Sequence, residues 1–265
     1  MNRAFRLSGT AFAAALVAGA MLNLPLAARA AGVQAAPALT DSVVVASAEA
    51  RIDKKQYRDV KVKVANGVAT LTGTVDLYEF KVDAERNVRH AKGVTVVRNL
   101  IEVGGPVIAD KDLQAKLSEK LAYDRVGYGN LFNAVSLKVE NGVAYLGGHA
   151  RTYVDKDSAL SLAATTPGVK DVVDSIEVDP VSMMDDQTRF AVARAVYGFP
   201  MLNKYAINPA KPIRISVQNG NVELYGTVDT QADKDAANLR ANGVAGVFSV
   251  KNYLTVANQP AERPY

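Results

Sequence analysis

Few groups in this chain are placed to do chemistry. Two histidines, His90 and His149, stand 59 residues apart, without the close spacing that marks a zinc site. Two acidic pairs, Asp155 with Asp157 and Asp233 with Asp235, could be read as paired carboxylates for acid–base work. Both pairs open helical patterns, where the helix dipole favours an acid, so they read as helix starts. Cysteine is absent, which excludes thiolate nucleophiles, disulfide frameworks and a lipid-bearing cysteine. No nucleophile elbow or phosphate loop occurs. The expectation is a protein that is not an enzyme and holds no metal or cofactor.

The elements that position these groups are written three times. NGVATLTG at 66–73 returns as NGVAYLGG at 141–148 and NGNVELYG at 219–226, offsets of 75 and 78 residues. A second phrase, GVTVVRNLIEV at 93–103, returns at 168–178 and 246–256 with the same offsets. Repetition of two landmarks at one spacing defines a module. Asn-Gly between alternating apolar runs predicts a hairpin with a type I′ turn, both of whose central residues need positive φ. Asn66 with Gly67, Asn141 with Gly142 and Asn219 with Gly220 take those places. The turn fixes the register, setting Val62 opposite Leu71, Leu137 opposite Leu146 and Ile215 opposite Leu224. Gly73, Gly148 and Gly226 fall on the apolar face, where a missing side chain permits close approach, expected here from a helix.

Helical patterns precede each hairpin, at 42–55, 110–123 and 185–199, and follow it, at 76–91, 154–164 and 232–241. A final apolar run closes each unit. The fold class is therefore α+β, three tandem helix-strand-strand-helix-strand modules with both helices on one sheet face. The division is a signal peptide at 1–30, a linker at 31–39, modules at 40–104, 105–181 and 182–257, and a tail at 258–265.

This pattern, N-G-x-x-x-L-x-G followed by a late G-V-x-x-V, resembles the BON domain. The residues that carry it are Asn66, Gly67, Leu71, Gly73, Gly93, Val94 and Val97, with their counterparts from Asn141 to Val172 and from Asn219 to Val250. The third copy departs at Asn221, where an apolar residue is usual. The resemblance implies a periplasmic protein that docks on phospholipid membrane or on envelope proteins and helps maintain the envelope under osmotic or other stress. A structural assembly or chaperone-like role for secreted chains is the alternative, and a small-ion or small-ligand sensor a weaker one.

Arg3 and Arg6 precede an uncharged apolar stretch from Ala11 to Leu22, and Ala28-Arg29-Ala30 offers a cleavage signature, as in a secretory signal. Twelve apolar residues fall short of the ~20 needed to span a bilayer. Without residues 1–30 the chain has 28 basic and 27 acidic residues, so bulk charge gives no reason to expect nucleic acid. The modules carry +2, −3 and +2. They differ most in the connection from first helix to first strand. In the second module it is YDRVGYGNLFNAV, in the third YGFPMLNKYAINPAKPIRI. Aromatics beside glycine, proline and cations suggest a contact surface for headgroups or a partner, with Arg125, Tyr128, Leu131, Phe132, Lys204, Tyr205 and Lys211 as candidates. Packing between modules is the competing account, stronger for Phe132 and Tyr197, weaker for Tyr128 and Tyr205. In the first module the connection is basic, with Arg51, Lys54, Lys55, Arg58, Lys61 and Lys63 interrupted by Asp53 and Asp59. It reads as a solvated face.

Overall fold

A computed structural model describes residues 40–123, 128–208 and 211–257. The expected signal peptide, linker and tail lie outside them. Among the described residues no helix is long and apolar enough to cross a membrane.

The first module runs α1 (Asp41–Glu49), a single 3-10 turn (Lys55–Tyr57), β1 (Val60–Ala65), β2 (Val68–Val75), α2 (Tyr78–Arg89) and β3 (Val96–Val103). The second comprises α3 (Asp110–Tyr123), α4 (Tyr128–Leu131), β4 (Ala134–Glu140), β5 (Val143–Ala150), α5 (Tyr153–Ala164) and β6 (Asp171–Val178). The third has α6 (Met183–Tyr197), α7 (Lys204–Ile207), β7 (Arg214–Gln218), β8 (Asn221–Val228), α8 (Gln231–Asn242) and β9 (Ser249–Val256). Each module is α+β, a three-stranded sheet whose middle strand is the second of the three. The first strand joins it antiparallel through the hairpin, the third parallel through a helical crossover, as parallel pairing demands.

Inner-face residues build one core per module. In the first, Val62, Ala69, Leu71 and Ile101 from the sheet meet Ala48 of α1 and Ala84 and Val88 of α2. Alanine at the helix contacts lets both helices lie close on the same face. The polar Asn99 on that face is spent locally: its amide donates to Lys81 O at 2.9 Å and its oxygen accepts from Ile101 N at 3.2 Å. Asn252 does the same with Lys234 and Leu254, tying each crossover helix to its last strand.

Asn66, Asn141 and Asn219 have φ of 51°, 53° and 50°, and Gly67, Gly142 and Gly220 have 77°, 78° and 73°. Pairs Val62↔Leu71, Leu137↔Leu146 and Ile215↔Leu224 follow. Two turns are held from outside. Asp110 at the start of α3 accepts from Asn141 N at 2.7 Å and Gly142 N at 2.9 Å, and Asp185 in the first turn of α6 accepts from Asn219 N at 2.9 Å and Gly220 N at 2.8 Å.

The repeated strand glycines depart from expectation. What approaches them is backbone, not a helix: a side chain at Gly73 would run into the carbonyl of Asp59, at Gly148 into that of Ala134, and at Gly226 into Pro212 O at 2.6 Å. All three have positive φ, 114°, 82° and 131°. The first strand crosses so tightly over the middle one at this point that no Cβ fits.

Candidate functional site

Two aromatics of the loops in modules two and three, Phe132 and Tyr205, are buried rather than open to solvent. Phe132 is fully buried and belongs to the core of the third module, although the second supplies it, and Leu131 packs beside it half-buried. Its ring meets Phe190 of α6 edge-on at 5.1 Å, and the Arg151 guanidinium lies 5.9 and 5.7 Å from the two rings. Arg151 also pairs with Asp186 at 3.2 Å through two nitrogens. Tyr205 corrects the expectation most sharply. It is 3% exposed, its hydroxyl donating to Asp233 Oδ2 at 2.8 Å and accepting from Asp229 N at 2.7 Å. Lys204 stands beside it between Asp229 and Asp233, at 2.9 and 3.0 Å. Asp233, one member of a suspected acidic pair, thus fastens the third module's loop to α8. Lys211 is exposed. Tyr128 begins α4, and Arg125 lies outside the described residues.

Deeper in the joint is a polar cluster that loop composition did not disclose. Asp179, just beyond β6, has a side chain 1% exposed, and Arg189 of α6 is 2% exposed. They pair at 3.2 Å. Asp179 also accepts from Gln218 Nε2 at 2.8 Å and Ser216 Oγ at 3.1 Å, both on β7. Arg189 donates to Val217 O at 2.9 Å and pairs with Asp186, while its Nε has no partner. Burial works to raise the Asp179 pKa, but the bonds from His149 and Gln218 and the Arg189 charge prevail and hold it below the ordinary carboxylate value.

His149 stands at the rim, its Nδ1 3.5 Å from Asp179 and its Nε2 3.8 Å from Glu223 of β8. The Asp179 bond raises its pKa above 6.5 against the opposing effect of burial, and the Asp179, Glu223 and Glu177 charges add to the rise. A raised histidine pKa stabilises the fold fully below the unfolded value and loses that contribution as pH rises through the folded one. The melting temperature is therefore expected to fall as pH climbs past neutrality, and His149→Gln to flatten that part of the profile. A wild-type profile already flat from pH 6 to 8.5 would remove the ion pair from the account.

The first module leaves its basic connection in solvent. Arg51, Lys54, Lys55, Arg58, Lys61 and Lys63 are all exposed. Lys55 and Arg58 line two adjoining clefts of about 280 and 580 Å³, the larger also bounded by Lys54, Ile52 and Tyr57. Among the described residues no cluster of histidines and acids is arranged to hold a metal.

The model of the BON domain matches residues 40–105, 109–180 and 201–258. The chain belongs to the BON-domain family. The third BON match begins inside the connection that α7 occupies, leaving α6 outside it, though α6 supplies Val192, Ala193 and Val196 to that module's core. Osmotically-inducible protein Y of Escherichia coli (strain K12) is 28% identical over 162 residues, 57% of this chain and 74% of that protein. An uncharacterised protein of Anaplasma centrale is 26% identical over 125 residues, 46% of this chain and 83% of its own length. Among solved structures, the C-terminal domain of CdsD, the structural protein of the type III secretion system of Chlamydia trachomatis, is 17% identical with a TM-score of 0.23, covering 82% of this chain and 99% of that one.

Proposed function

We propose that this protein is a non-enzymatic binding protein of the periplasm, active in envelope stress, whose BON modules dock on anionic phospholipid through the first module. Membership of the BON family and the osmotic induction in a relative's name support the stress setting. The amino-terminal segment, basic then apolar, supports export. The observation that carries the membrane contact is the exposure of all six cations between Arg51 and Lys63 along one connection and one edge strand. Phe132 and Tyr205 of the equivalent connections are consumed in packing. The acidic second module would be repelled by the same surface.

A cation near an anionic bilayer contributes about 1 kcal/mol. Replacing Lys54, Lys55 and Arg58 together by glutamine is expected to weaken binding to phosphatidylglycerol vesicles roughly a hundredfold, with the melting temperature unchanged because all three side chains stand in solvent. Vesicle sedimentation with and without anionic lipid measures it. Wild-type protein that ignores both vesicle types would sink the lipid reading and favour an envelope protein as partner.

A further inference from the structure

A tyrosine of the first module reaches the second. Tyr78 opens α2 and packs against the core of the second module. Burial there raises the pKa of its hydroxyl, and the nearby Asp171 carboxylate, where β6 begins, raises it further. The seat is completed by Ile108, which lies against Gly168, and Val169 beneath is buried.

The second module repeats this knob. Tyr153 opens α5, five residues after Gly148, as Tyr78 follows Gly73. The third module docks by its α6 and β7 instead, so Tyr153 is left 73% exposed, with Val154 beside it exposed as well. The third module repeats part of the seat, with Ser249 in the place of Asp171 and Phe248 next to it, while Gly246 meets Thr188 where Gly168 meets Ile108. There Phe248 is 81% exposed, and Val247, the counterpart of the buried Val169, is only partly covered. The second module's knob and the third module's seat, parts of a contact already used within the chain, thus remain unfilled, on modules of net charge −3 and +2.

We propose that Tyr153 of one molecule docks on the Phe248–Ser249 seat of a second copy, repeating between chains the contact that Tyr78 makes within one. The ring meets Phe248 and Val247. The hydroxyl donates to Ser249 Oγ, whose own proton goes to Asn221 Oδ1 at 2.7 Å, so its lone pairs are available. The first module's seat is the poorer one, since Val96 holds the place of Asp171 and offers no acceptor. Knob and seat are different surfaces, so the contact is heterologous and each molecule offers one of each.

Sedimentation velocity over a concentration series tests this with the full mature chain. Wild type is expected to associate. Tyr153→Ser and Phe248→Ser are each expected to weaken association at least tenfold without shifting the melting temperature, because both rings stand in solvent. An equimolar mixture of the two variants restores one intact knob and one intact seat, and is expected to form a dimer and nothing larger. Wild type that stays monomeric throughout, single variants that associate like wild type, or a mixture that stays monomeric would each overturn the proposal.

Discussion

Replacing Asp179 by alanine is expected to cost about 3–5 kcal/mol, the usual penalty for stranding one member of a buried ion pair. The partner left behind is Arg189, whose guanidinium is almost wholly enclosed and would keep the Val217 carbonyl and the more exposed Asp186 as acceptors. Ser216 and Gln218 lose their shared acceptor at the same time. The pair itself is not the source of that energy. Two ions taken out of water recover in mutual attraction roughly what they lose in hydration, so Asp179→Leu combined with Arg189→Leu is expected to be far milder than either change alone. Urea denaturation of wild type, both single variants and the double variant gives the cycle. A single-variant cost under about 1 kcal/mol would mean that water reaches the joint and the charges are not enclosed.

Gly148→Val should be nearly as damaging, through the backbone. At φ of 82° a branched residue is strained, at about 1–3 kcal/mol, and the new Cβ would collide with the Ala134 carbonyl, adding roughly 1–3 kcal/mol for forced displacement. Gly147 next to it is the control. Its φ is not positive and a Cβ there would meet Ser136 Oγ at 3.2 Å, a side chain able to turn away. Thermal melts should therefore show a large loss for Gly148→Val and a small one for Gly147→Ala. Equal losses at the two positions would refute the close-crossing explanation.

These two sites mark what could be read in advance and what could not. The hairpins were legible because an Asn-Gly turn is decided by the φ preferences of two adjacent residues, and alternation then sets the register without reference to the rest of the chain. The reason for the strand glycines was misread. Sequence shows that space is needed at Gly73, Gly148 and Gly226, but which atom fills it depends on the path of another strand. Of the loop aromatics, Phe132 packs between modules, the account favoured for it in advance. Tyr205 was misread for a related reason: its segment has surface composition, and what buries it is α8, distant along the chain. Arg189 did leave a trace. Asp185, Thr188, Arg189, Val192, Ala193 and Val196 recur at helical spacing on the buried stripe of α6, and a cation among those positions announces an enclosed partner. Asp179, placed in a connection, gave no comparable sign.

Three copies of one phrase suggest interchangeable parts, open to free reordering by duplication and recombination. The Asp179–Arg189 interlock denies that freedom at one boundary. A crossover between residues 181 and 182 separates an acid from the base that neutralises it, and both inherited fragments begin with a defect. A crossover near Gly104 parts Tyr78 from its seat, and among the described residues it leaves no enclosed charge alone. In heredity, then, the chain is one module followed by an inseparable pair, and variants that gain or lose a unit are expected to break at the first boundary and to pass the second and third on together.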